Sequence, residues 1–355
     1  MREWTALYES KSGERGIFNR QAAQQQAAKY GRRDSSIDYG TNPCSEIILR
    51  PKQFCNLSEV VIRAEDTPET LQRKVELATI LGTIQSCFTD FKGLSRQWVR
   101  NTEEERLLGV SLTGILDSKM MANQTNDNLP ALLSNLRLIA VNTNRKWSKY
   151  LGIEPSAAIT CVKPSGTVSQ LVDAASGIHP RHSEYYIRTV RADKKDPLTK
   201  FMTEKGFPVE DELLKPQSMS VFSFPVKAPK GALTRDKLSA IDHLKIWQVY
   251  SDHWCEHKPS ITVSVQENEW MEVGAYVHKN FSHMSGISFL PMSEHTYKQA
   301  PYQDSTRAEY ESLLKKMPEN IDWHTLSEYE EDDNTHGSQT LNCTGDVCEI
   351  VDLVQ

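Results

Sequence analysis

The sequence predicts an α/β fold with a substantial parallel component. Three observations carry this. From residue 156 onward, short β-rich runs alternate with helical stretches. Hydrophobic residues make up 38% of the chain and charged residues 25%, an ordinary balance for a protein with a packed core. The 355 residues contain no internal repeat and no long low-complexity linker, and by length they suffice for about two domains or one large α/β unit.

The elements follow in order. Residues 1–40 are polar, and NRQAAQQQAAKYGRR reads as a helix with a basic end, punctuated by Gly31 and Gly40. SEIILRPKQFCNLSEVVI reads as two short extended runs around Pro51. Thr67 is placed to cap a helix with Pro68 at its first position, and Leu71, Val75, Leu77, Ile80, Leu81 and Ile84 trace its apolar stripe. TEEERLLGVSLTGILDSKM and NLPALLSNLRLIAVNTNRKWSKYLG are expected to be two further helices. SAAITCV, YYIRTVR, SMSVFSFPV, SITVSV and SGISFLP are expected strands, with helices over TRDKLSAIDHLKIWQVYSDHWCEH and ENEWMEVGAYVHKNF. The last stretch turns from acidic to Gly/Ser/Thr/Asn-rich and reads as a mobile tail.

A net charge of −6 argues against bulk nucleic-acid binding but leaves room for a phosphorylated small molecule. No window reaches the roughly 18 consecutive apolar residues of a membrane span, and the N-terminus lacks the apolar core of a signal peptide. Seven cysteines in no regular framework read as cytosolic thiols, so a cytoplasmic location is expected.

Two of those thiols stand in TNPCSEIILRPKQFCNLSEV. Asn42, Cys44 and Glu46 are spaced i, i+2, i+4, which in an extended strand turns an amide, a thiol and a carboxylate to one face. A carboxylate can act as general base on a hydroxyl, and an amide can hold one. Spacing alone equally allows an ordinary buried Cys44 and a surface Glu46. In KPSGTVS, the small residues Ser165, Gly166 and Thr167 after Pro164 suit a turn into a helix N-terminus. That is either a phosphate cradle or a plain capped start. It is not a Walker A loop. Cys343 and Cys348, in NCTGDVC, could close a disulfide, serve in thiol exchange or belong to a metal knuckle. Cys87, Cys161 and Cys255 carry no defensible redox role. His179 and His182 are read as structural or exposed before they are read as ligands. His253 and His257 fall i, i+4 on an expected helix, but no third ligand is evident and no metal is expected.

NPCSEI followed by FCNLSEV resembles the active-site segment of ribonucleotide reductases, most closely the monomeric, adenosylcobalamin-dependent class II type. The resemblance extends through SGERGIFNR, LGTIQSCFTDF, RLLGVSLTGILD, TCVKPSGTVSQLVDAASGIHPRHSEYYIRTVR, SITVSV, ISFLP and QAPYQ, nearly the whole chain. It implies reduction of ribonucleoside triphosphates to 2′-deoxyribonucleotides with adenosylcobalamin as the radical source. Cys44 would be the thiyl residue that abstracts the ribose 3′ hydrogen. Glu46 would take the 3′-hydroxyl proton, Asn42 would hold the substrate hydroxyls, and Cys55 would be half of the reducing dithiol. Pro164, Ser165, Gly166 and Thr167 would grip the substrate phosphates. Cys343 and Cys348 would shuttle electrons from a thioredoxin-like reductant.

The implied fold is a ten-stranded α/β barrel of two five-stranded halves, with the radical cysteine on a central finger loop. The partner of Cys55 in the dithiol belongs to the first half, and no cysteine precedes Cys44 here. The resemblance therefore implies the second half, residues 1–327 with a finger loop at about 41–60, followed by a redox tail at 328–355. Such a half is incomplete without an N-terminal half on another polypeptide. The competing expectations are the large subunit of an iron-dependent reductase and a non-catalytic assembly or nucleotide-binding subunit. The form VKPSGTVS favours the cobalamin type.

Overall fold

In the computed structural model the strands are, in chain order, β1 (Gly16–Phe18), β2 (Gly40–Thr41), β3 (Ile48–Leu49), β4 (Asn56–Val61), β5 (Leu108–Thr113), β6 (Thr160–Cys161), β7 (Tyr185–Asp193), β8 (Val209–Asp211), β9 (Met219–Lys227), β10 (Thr262–Val265), β11 (Gly286–Pro291) and β12 (Tyr302–Asp304). The structure describes residues 2–10, 16–122, 128–292 and 298–330, so Cys343 and Cys348 lie outside the described residues. Two units are distinguished. One comprises the chain up to Arg181 with Gly231–Met292; the other comprises His182–Lys230 and the described residues from 298 onward.

The first unit holds the parallel component. β4, β5 and β6 pair in parallel, as do β10 and β11. A parallel bridge between Val162 and Pro259 links the two sets. Five parallel segments thus run in the order β4-β5-β6-β10-β11, with β1 antiparallel on the outer side of β11. Among the described residues the series does not close into a barrel, and β4 is an edge strand.

β5, the middle strand of the β4-β5-β6 set, lies in a stretch where the sequence suggested helix. The helix Arg96–Glu105 stops at Arg106, which adopts a left-handed conformation, and all six residues of LGVSLT are buried. A short apolar run fits either periodicity; length and the terminating residue decide it. Its two faces differ. Leu108, Val110 and Leu112 join the main core, and burial of each such side chain contributes about 1.5–3 kcal/mol. Gly109, Ser111 and Thr113 occupy the alternate positions. Gly109 has no room for a side chain: a Cβ would collide with Leu57 and come within 2.9 Å of Ile47 Cδ1.

The helix Pro68–Gln85 begins as the sequence predicts, with Thr67 and Thr70 forming a reciprocal capping box. Its buried face differs from the expected stripe. Leu71, Val75, Thr79, Gly82 and Thr83 are buried, whereas Leu77 and Leu81 are about half exposed (50% and 54%). Small residues allow close packing against the helix Asn128–Leu151, where Asn144 Nδ2 donates to Thr83 Oγ1 at 3.0 Å. The hydroxyls of Thr79 and Thr83 are satisfied by carbonyls of their own helix.

Three buried aromatic residues around the helix Ala240–His253 fix the strand ends that carry the site. Trp247 Nε1 donates to Pro259 O at 2.8 Å, Trp254 Nε1 to Cys161 O at 2.7 Å and the Tyr250 hydroxyl to Met121 O at 2.9 Å. The second unit is a different construction, an antiparallel sheet in the order β12-β7-β9-β8. Its own core gathers Phe201, Phe207 and Phe222.

Candidate active site

The site is built on a hairpin in the first unit. β2 and β3 pair antiparallel, and residues 42–47 form the loop between them. The chain there is turned rather than extended, so the expected one-face argument for Asn42, Cys44 and Glu46 does not hold. Asn42 Oδ1 accepts from Ile47 N at 3.0 Å, Ser45 N donates to Asn42 O at 2.9 Å, and Ser45 sits at φ +67°. Asn42 therefore closes the loop with its amide oxygen.

A second segment, 257–260, laces this loop from beneath. Ser260 Oγ donates to Cys44 O at 2.5 Å and Lys258 Nζ to Ser45 Oγ at 2.7 Å. Lys258 N donates to Glu46 O at 3.2 Å, and Ile48 N donates to His257 Nδ1 at 3.3 Å. The other ring nitrogen of His257 lies 2.9 Å from Leu108 O, so it donates there. Burial holds His257 down at about 3, and the ring is neutral. His257 lies beyond the end of its expected helix, which stops at His253. Among the described residues no cluster could hold a metal ion.

Glu46 is completely buried. Its Oε1 accepts from Lys163 Nζ at 3.2 Å, while Oε2 has no hydrogen-bond partner among the described residues. Cys44 also lies close enough to Lys163 to act on its ammonium. Burial opposes the charge of Lys163, but Glu46 and Cys44 outweigh it and raise the ammonium above its ordinary value. Cys55, packed in a small apolar cluster with Ile47 and Cys161, is pushed up to about 12 by burial and by the Glu46 charge. It is a thiol, not a thiolate, at neutral pH. Glu59, on β4, is raised by burial against hydrogen bonds from Ser165 and Thr113, which places a second acid beside the segment 163–167.

That segment is only partly arranged as expected. The helix after it is a single turn, Val168–Leu171. Ser165 is buried, its hydroxyl accepting from Ser169 N at 3.0 Å, while Gly166 and Thr167 are exposed and Pro164 is half-buried. Sequence reasoning missed Lys163, Lys258, Ser260 and Glu59. Glu59 could have been found from strand alternation with Ser58 and Val60. The lysines carried no local signal.

Lys258 gives the fold a pH dependence. Burial holds its ammonium down at about 7, although Glu46 and Cys255 oppose this. Between about pH 7 and the ordinary value of 10.5, the unfolded chain holds a proton that the folded chain has shed. The contribution to stability therefore rises with pH through that window and is smallest below it. Urea unfolding below and above pH 7 should show this rise, and Lys258→Met should flatten it.

The fold is similar to about half of a B12-dependent (class II) ribonucleotide reductase, which matches with a TM-score of 0.77 at 23% identity over 94% of this chain and 50% of that one. The alpha subunit of a class Id ribonucleotide reductase from Actinobacillus ureae matches at 0.54 and 16% identity, over 82% of this chain and 61% of that one. In sequence, the chain is similar to adenosylcobalamin-dependent ribonucleoside-triphosphate reductases. That of Euglena gracilis is 26% identical over 94% of this chain and 45% of its own length. That of Lactobacillus acidophilus is 24% identical over 96% and 49%. The chain spans about half the length of these curated relatives. No protein-family model matches it. Among the described residues, no helix is long and apolar enough to cross a membrane.

Proposed function

We propose that this chain is the C-terminal, radical-bearing half of an adenosylcobalamin-dependent ribonucleoside-triphosphate reductase, completed by an N-terminal half on another polypeptide. The observation that carries the reading is the shared environment of Cys44 and Glu46. A thiol and a wholly buried carboxylate meet one ammonium, and a carboxylate oxygen is left without a partner.

The finger loop borders a cavity with room for the nucleoside end of such a cofactor, not for its corrin. Pro43 and Ser45, the neighbours of Cys44, line this cavity of about 270 Å³, which is also walled by Gly16, Phe18 and Gly286. When bound, adenosylcobalamin supplies the radical that removes the hydrogen of the Cys44 thiol. Cys44 then takes the 3′ hydrogen of the ribose. Glu46 Oε2 accepts the 3′-hydroxyl proton, and the Asn42 amide holds the hydroxyls from the side not used to close the loop. The 2′-hydroxyl departs as water. Two electrons and two hydrogens come from Cys55 and a cysteine of the other half, which join as a disulfide; the 3′ hydrogen returns from Cys44, and the proton on Glu46 returns to the 3′ oxygen. Burial suits Cys55 to this work, because it must deliver hydrogen and not act as a free thiolate. Gly166 and Thr167 are exposed for phosphate, with Pro164 and Ser165 shaping the turn. Residues 328–355 are the redox tail, in which Cys343 and Cys348 would pass electrons from a thioredoxin-like donor by disulfide exchange.

Two features support a completing partner. β4 is an unpaired edge. The helix packed beside it exposes Leu77, Leu81 and Ile84, and Phe88 beyond its end is 74% exposed. A cytoplasmic setting follows from the free thiols this chemistry needs. The test is formation of a 2′-deoxyribonucleoside triphosphate with adenosylcobalamin and a dithiol, by the chain alone and mixed with the other half of a relative. Product in the mixture alone is expected. A stable mixed complex that makes none would favour a non-catalytic nucleotide-binding subunit.

A further inference from the structure

Lys163 is the group of this site to which neither the sequence motifs nor the proposed chemistry gives a task. It follows β6, where its backbone N donates to Ser111 Oγ at 2.8 Å. That bond fixes the root of the side chain on the inner face of β5. The ammonium reaches Glu46 Oε1 at 3.2 Å and lies close enough to Cys44 to be raised by it, and the side chain is 30% exposed against 0% for Glu46. The other groups that Glu46 faces do not substitute for it. Lys258 gives its side-chain hydrogen bond to Ser45, while Cys55 and Cys161 are buried thiols raised by the Glu46 charge. Glu59 is also within reach of the Lys163 ammonium, which opposes the effect of its burial.

We propose that Lys163 is the positioning residue of the site, whose ammonium clamps Glu46 Oε1 and the Cys44 sulfur together and so presents Glu46 Oε2 as a ready, ionised acceptor. The assignment of Oε2 to a substrate hydroxyl rests on the reductase reading; the clamp itself does not. The physical need is plain. A buried carboxylate with one bare oxygen is strongly disfavoured unless the other oxygen is paired with a cation. A lysine suits the position because its point charge engages one oxygen, whereas an arginine fork tends to occupy both.

Infrared spectroscopy of the full chain at neutral pH tests this without cofactor or turnover, with the Glu46 band assigned by its loss in Glu46→Gln. Native protein should show Glu46 only as carboxylate. Lys163→Met should produce a carboxylic-acid band, and Lys163→Arg, which restores the cation, should remove it again. A Lys163→Met protein whose Glu46 remains a carboxylate would overturn the proposal. If that variant does not fold, the native protein still decides: a Glu46 acid band there at neutral pH would also overturn it. In the reduction assay, Lys163→Met should lower kcat by about 10²-fold or more and leave KM for the nucleotide within a few-fold. Reduction absent from the native mixture, with the infrared result as expected, would count against the reductase reading and leave the clamp standing.

Discussion

Cys44→Ser is expected to abolish deoxynucleotide formation while leaving nucleotide binding intact. The substitution changes one atom. The carbonyl of residue 44 still accepts from Ser260, Ser45 is still held by Lys258 and the Asn42 turn is untouched, so the loop keeps its place. What is lost is the weak S–H bond. A serine O–H is too strong to surrender its hydrogen to a carbon-centred radical, so no side-chain radical forms to take one from a ribose. Transition-state stabilisation by Glu46 and Asn42 then has nothing to act on, so the loss should be complete, not graded. The checks are product formation and equilibrium dialysis of the nucleotide. Retained turnover would remove Cys44 from the radical role.

Arg33→Met is expected to destabilise the fold by about 3 kcal/mol, the low end for breaking a buried pair, because Glu105 loses its bidentate partner and keeps Arg50 Nη2 at 3.0 Å and Gln53. Arg33 and Glu105 are both essentially excluded from water. Arg33 Nε and Nη2 reach the two Glu105 oxygens at 3.1 and 2.9 Å, and Nη1 donates to Ile48 O at 2.9 Å. Gln53 Nε2 joins the same carboxylate at 2.6 Å. The network thus grips both the return strand of the finger hairpin and the approach to Cys55. A loss of this size is a large share of the roughly 5–15 kcal/mol that holds a domain folded. Urea unfolding of the single variants and of Arg33→Met with Glu105→Met should show coupling, the double variant losing less than the sum.

Much of the site was legible in the sequence, but for reasons that differ from residue to residue. Cys44, Glu46 and Cys55 were read from a motif, and all three lie within electrostatic reach of Lys163. The extended strand invoked to bring Asn42, Cys44 and Glu46 to one face was incorrect: Asn42 turns the chain instead. Lys163 and Lys258 could not be read, because each comes to the loop from more than a hundred residues away in sequence. The fold followed the same pattern. Strong local chemistry, such as the Thr67 cap, located the helix Pro68–Gln85 at once. Its stripe was misassigned because packing selected Thr79, Gly82 and Thr83 over Leu77 and Leu81, a tertiary choice that local hydrophobicity does not encode. β5 was taken for helix because six apolar and small residues carry no period of their own.

The most direct test of the central claim is a single turnover without external reductant. The chain carrying Cys343→Ser and Cys348→Ser, so that no tail thiol can re-reduce Cys55, would be mixed with the complementary half, adenosylcobalamin and a ribonucleoside triphosphate, quenched and alkylated, and the Cys55 peptide quantified by mass spectrometry against deoxynucleotide formed. Electron balance predicts one Cys55 lost to a disulfide for each product in the first turnover, with Cys44 still free to alkylate. Deoxynucleotide formed while Cys55 remains fully alkylatable would contradict the account.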